Sequence, residues 1–164
     1  MKILASVLSM ALFCFALSTS VAAQAPSDGV STSFAFTFSL GGGCGNPVPT
    51  CSATNPVLGS SMTISGTQAP STAYGAVALS LPISAITANL GGPNFDQPCS
   101  FFLQTNAFVV LSDLTPDAMG NWMYSGFVPN VPSAAGVQFN VQALFISAAE
   151  GLTATNGVRL VLGF

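Results

Sequence analysis

The chain has 164 residues, half of them hydrophobic, with only 4% charged, no histidine and a formal net charge of -3. A chain this apolar folds rather than staying disordered, and its two cations are too few for the basic footprint that nucleic acid or anionic lipid requires. Without histidine it lacks the commonest general base, the commonest metal ligand and the usual partner of a catalytic serine or cysteine.

Lys2, the apolar run Ile3 to Leu17 and the small residues after it read as a secretory signal. Val21 and Ala23 suit the residues before a cleavage site, whereas a cut after Ala25 would place Pro26 against the peptidase, so processing is expected between Ala23 and Gln24. The predicted organisation is a signal peptide over 1–23, a flexible lead-in over 24–31 and a single β domain over 32–164. The run is too short and too early for a membrane anchor, and no later segment supplies the roughly eighteen consecutive apolar residues of a spanning helix. The mature chain is expected to be secreted, with no transmembrane segment and Arg159 as its one cation.

In SFAFTFSL, Phe34, Phe36, Phe38 and Leu40 alternate with Ala35, Thr37 and Ser39, the two-residue period of a strand whose phenylalanine face is expected to be buried. Gly41 to Gly43 end it. SMTIS (61–65) and YGAVALSL (74–81), separated by GTQAPSTA, read as an antiparallel pair. ISAITANL (83–90) fits a short strand or a helical turn, and GGPNFDQP (91–98) is loop. SFFLQTNAFVVLS (100–112) reads as two strands broken near Thr105 and Asn106. Pro116, Asp117 and Gly120 make a turn before a returning strand over Asn121 to Val128. VPNVPS (128–133) is a second proline-marked crossing. A final hairpin joins VQFNVQALFIS to TNGVRLVLGF through AAEGLTA. About eight short strands with turn signals every ten or so residues predict an all-β fold, an antiparallel β-sandwich of immunoglobulin-like or jelly-roll-like form, with a small β-barrel as the alternative.

Few residues bear on chemistry. Asp113 and Asp117, four apart around a proline turn with Asn121 beyond, are candidate oxygen ligands for calcium, although they lack the glycine pattern and closing glutamate of an EF-hand loop. No other cofactor is expected. GGGCGNPVPTC (41–51) is glycine-rich, yet prolines follow where a phosphate loop needs Lys and a helix, and no histidine completes a zinc set. Cysteines of a secreted chain form disulfides by default, and Cys44, Cys51 and Cys99 cannot all pair within one molecule. Trp122 and Tyr124 are candidates for an aromatic sugar-binding face or for core. Gln138, Asn140 and Gln142 form a polar row that reads as a solvated sheet face or a ligand surface.

The order of short features along the chain resembles a small secreted β-sandwich module found in exported proteins of environmental Gram-negative bacteria, often at their C-terminus. The features are Gly43 and Cys44, PVLG (56–59), Cys99, Asp117 with Gly120 and Asn121, VPN (128–130), Gln142 to Leu144, and Thr155, Asn156 and Gly157. The likeness spans roughly residues 43–163 and supplies no catalytic residues. Its two recurring cysteines imply a Cys44–Cys99 disulfide, which leaves Cys51 free and buried or open to a partner. Cys44–Cys51 is the local alternative. The longer loop stabilises more, about 4 to 5 kcal/mol against about 2 to 3 in the chain-entropy model.

Residues and resemblance together point to a secreted, non-enzymatic structural or adhesive module at or beyond the cell surface. A carbohydrate- or calcium-binding module and a fibre subunit assembled by strand exchange are the alternatives. Expected partners are polysaccharide or other surface proteins.

Overall fold

The computed structural model describes residues 34–88 and 98–164; the expected signal peptide and lead-in, and most of the 91–98 loop, lie outside the described residues. Glycine and proline punctuation cuts the chain into short extended runs. Eleven strands result among the described residues: β1 (Phe36–Gly41), β2 (Ser52–Ala53), β3 (Ser61–Gly66), β4 (Tyr74–Ser80), β5 (Ile86–Ala88), β6 (Cys99–Phe101), β7 (Phe108–Leu114), β8 (Trp122–Phe127), β9 (Gln138–Ser147), β10 (Gly151–Ala154) and β11 (Gly157–Val161). All strand pairing is antiparallel.

One sheet runs β1-β11-β9-β4-β7, with β10 also paired to β9; a second runs β2-β3-β8, and β5 and β6 form a two-stranded ribbon. The fold is thus a sandwich. It is not the small barrel held as the alternative, because among the described residues β1 and β7 are the edges of the large sheet and do not pair with each other.

The two sheets face one another across a core in which Ile64 and Trp122 from the small sheet meet Val77, Val141, Ala143, Phe145 and Leu160 from the large one. Trp122 and Phe145 meet at a 5.8 Å ring separation and a tilt of 60°, within the range aromatic pairs favour. Gly75 stands opposite Phe145 in the ladder and leaves room for its ring. A smaller cluster, Cys44, Cys99 and Ala154 with Phe101 and Leu144, lies on the other face of the large sheet.

Two pairing expectations are corrected by this topology, and a third is refined. SMTIS and YGAVALSL, now β3 and β4, do not pair: β3 bonds β2 and β8, while β4 bonds β7 and β9. The segment between them crosses from one sheet to the other, and alternation alone carries no information about which sheet a strand joins. Likewise β8 does not return along β7 but crosses to β3. The final hairpin pairs as expected, β9 with β11, but the presumed connector contains β10, and β10 and β11 pair with successive stretches of the ten-residue β9.

Gly41, Gly42 and Gly43 all have positive φ, and a Cβ on Gly43 would stand 2.7 Å from the Ala154 carbonyl. Only glycine lets the chain turn off β1 so close to β10. The turn delivers Cys44 to Ala154, with which it exchanges backbone hydrogen bonds of 2.9 and 3.0 Å. There Cys44 forms the disulfide with Cys99, the pairing the resemblance implied, rather than with Cys51. Cys51 is free and buried.

Candidate interaction surface

The polar row on β9 divides. Gln138 is exposed, but Asn140 and Gln142 are fully buried, because the segment from Cys99 to Gln104 is laid over that face of the large sheet. Gln142 accepts from the Phe102 N–H at 3.0 Å and donates to the Ser100 and Thr155 carbonyls at 2.9 and 2.7 Å. Asn140 donates to the Phe102 and Ile83 carbonyls at 2.9 and 3.1 Å and accepts from Arg159 Nε at 3.0 Å. Both amides thus satisfy backbone groups of a segment with few ladder partners. The expected solvated or ligand-reading face is, at Asn140 and Gln142, a structural seam.

Thr155 and Asn156, to which the sequence assigned no role, complete this region with their side chains. The Thr155 hydroxyl accepts from the Ala143 N–H where the ladder breaks between β10 and β11. Asn156 binds the Cys51 backbone. Their one signal was the Ser/Thr-Asn-Gly feature of the resemblance, which carried no role.

Asp117 is likewise engaged by its own turn. One carboxylate oxygen accepts from the Met119 and Asn121 N–H groups, both at 2.8 Å, and the other from the Asn121 side chain at 2.9 Å. The Asn121 side-chain bond, followed by these backbone bonds, holds the carboxyl below its ordinary value. Asp113 lies on β7 opposite Ala76. Among the described residues no three His, Cys, Asp or Glu side chains gather as a metal set.

Trp122 is buried in the core, so it cannot show a ring to solvent beside Tyr124. Tyr124 is half-buried and leans over Gly126, where a Cβ would stand 2.5 Å from the phenol oxygen. With Met62, Leu79, Leu111, Phe139 and Leu160 it lines an apolar cleft of about 360 Å3 between the sheets. Burial pushes the Cys51 thiol up to about 12, against a smaller opposing pull from Thr155. A thiol so held carries almost no thiolate, and it is the thiolate that reacts.

The side chains left facing water are of another kind. From Phe34 through Phe38 the alternation is right and the face is inverted: Phe34, Phe36 and Phe38 are 71%, 46% and 42% exposed, while Ala35 is buried and the Thr37 hydroxyl reaches across to the Ala53 carbonyl; beyond Phe38 it lapses, with Ser39 exposed and Leu40 half-buried. The inner face here lies against β2, close enough for a hydroxyl bond, and takes small residues only. The rings of Phe36 and Phe38 are 6.0 Å apart, and Arg159, opposite Phe38 in the ladder, places its guanidinium 5.7 Å from that ring. At the far edge of the same sheet, Phe108, Val109 and Val110 of β7 are also exposed. Both edges of the large sheet therefore present apolar side chains next to backbone that has no ladder partner on its outer side among the described residues.

The chain matches no family model, and a search of curated proteins finds no relative.

Proposed function

We propose that this protein is a secreted, non-enzymatic structural or adhesive module that acts at or beyond the cell surface. One observation carries the reading: both edges of the large sheet hold exposed apolar residues, Phe34, Phe36 and Phe38 at one and Phe108, Val109 and Val110 at the other. Natural sheets normally blunt such edges with charge, proline or a covering element, because an open edge invites another chain. Apolar patches left in water mark contact surfaces. The Asn140 and Gln142 amides of the sheet, meanwhile, are engaged within the fold, and the disulfide suits an oxidising compartment.

The test is retention. Labelled protein is applied to whole cells, to purified surface polymers and to an apolar matrix, alongside a variant with Phe36→Ser and Phe38→Ser. The wild type should be retained on at least one surface and the variant released. Equal behaviour of the two, or turnover in a panel of polymer hydrolase assays that survives repurification, overturns the reading.

A further inference from the structure

The structure also points to the partner of one edge: we propose that β1 docks a second copy of this chain, strand against strand, antiparallel about a two-fold axis through Thr37. The inference rests on the structural-module reading above and names what that edge recognises.

β1 is bonded to β11 along one side only, and no other backbone hydrogen bond engages Phe36 to Leu40 among the described residues. Between Phe34 and Leu40 there is no charged residue and no proline, two of the usual devices against edge pairing. The ladder is regular from Phe36 to Ser39 and shifts only between Ser39 and Gly41, leaving a short straight edge.

The sequence of that edge is complementary to itself. A two-fold axis through Thr37, perpendicular to the sheet, pairs each residue with its mirror position about Thr37. Phe36 of one copy then faces Phe38 of the other, Phe34 faces Leu40, and Ala35 faces Ser39. Since Phe36 and Phe38 share one face of the strand, the rotation keeps all the rings on that face as aromatic cross-strand pairs. The positions between the rings carry only small residues, with Ala35 buried, Thr37 half-buried and Ser39 exposed. β7 is a poorer partner for β1. The four antiparallel steps from β1 to β7 leave the two strands pointing the same way, so copies stacked by translation would pair them in parallel, the weaker geometry. That edge also has its bulge in the middle of the strand, not at its end, and carries Asp113.

The exposed fractions of the three phenylalanines amount to roughly 300 Å2 of ring surface per copy, on side chains of about 200 Å2 each. Twice that, with the backbone edges added, falls in the smaller class of specific interfaces. The dimer is therefore reversible and depends on concentration. An isologous contact of this kind closes at two copies and does not by itself grow into a fibre.

Sedimentation equilibrium of the purified protein over a wide concentration range, with charge variants, decides the matter. The wild type should pass from monomer to dimer. Phe36→Glu with Phe38→Glu sets like charges opposite one another across the axis and should leave only monomer. Phe36→Lys with Phe38→Glu sets opposite charges there and should restore the dimer, an outcome that a merely structural role for these positions does not produce. Val109→Lys on the far edge should change nothing. If the doubly acidic variant does not fold, Phe38→Ser reads the same effect as a loss of about tenfold in association, from two aromatic pairs removed per dimer.

A wild type that is monomeric throughout, or a dimer indifferent to these changes, overturns the proposal. Retention on surfaces is followed in the same samples. A monomer that is still retained sinks the pairing and leaves the module reading intact, whereas a dimer retained on no surface does the reverse.

Discussion

Asn156 holds Cys51 by both of its backbone groups: Asn156 Oδ1 accepts the Cys51 N–H at 2.7 Å, and Asn156 Nδ2 donates to the Cys51 carbonyl at 2.9 Å, across a separation of 105 residues. This clamp ties the segment before β2 to the corner between β10 and β11. Replacing Asn156 by Ala leaves both groups without a partner, and an unsatisfied buried polar group costs about 1 to 3 kcal/mol. Urea unfolding should show Asn156→Ala destabilised by about 2 to 3 kcal/mol. Asn156→Asp, which keeps the acceptor and loses the donor, should lie between it and the wild type.

Gln142 fastens the segment from Ser100 to Phe102 to the large sheet. Gln142→Leu keeps the volume and strands the Phe102 N–H, so about 3 kcal/mol of stability should be lost. The loss should also be local. Amide hydrogen exchange at Phe102 should accelerate well before that at Val77 or Val141, which lie in the core between the sheets.

Cys44 and Cys99 close a loop with a sequence separation of 55. In the chain-entropy model a loop of that size is worth about 4 kcal/mol. Reduction, or Cys44→Ala with Cys99→Ala, should lower the unfolding free energy by that amount. Reduction of a variant already lacking both cysteines should have no further effect.

Burial raises the Cys51 thiol from 9.0 to about 12. An acid whose folded value is raised contributes stability that is fully present below its unfolded value and lost as pH climbs toward the folded one. Between pH 9 and about 12, then, the wild type should lose up to about 1.4 kcal/mol per pH unit from this group. Cys51→Ala should lack that component of the slope. A thiol reagent at pH 8 should label the folded protein only at the rate at which it unfolds.

Much of the secondary structure was legible beforehand, because a two-residue alternation survives wherever one face of a strand is dry. The β1, β3, β4, β7, β8, β9 and β11 segments and the break near Thr105 follow from it together with apolar runs and Gly/Pro turn signals. The partners of those strands were not legible. The link between β3 and β4 looks like a hairpin loop and is a crossing between sheets, and nothing local distinguishes the two. β10 escaped because its four residues offer too little pattern.

By itself, the sequence determined that this is an antiparallel β protein poor in charge and lacking histidine, since backbone punctuation, alternation and residue chemistry are local properties. Only the tertiary structure decided which face of each strand is wet. Phe36 and Phe38 look outward because the space between β1 and β2 admits only small side chains. Asn140 and Gln142 lie inside because a segment some forty residues earlier in the chain folds over them and supplies its own backbone as their partner. Period tells that two faces differ; what comes to lie against each depends on contacts between distant parts of the chain.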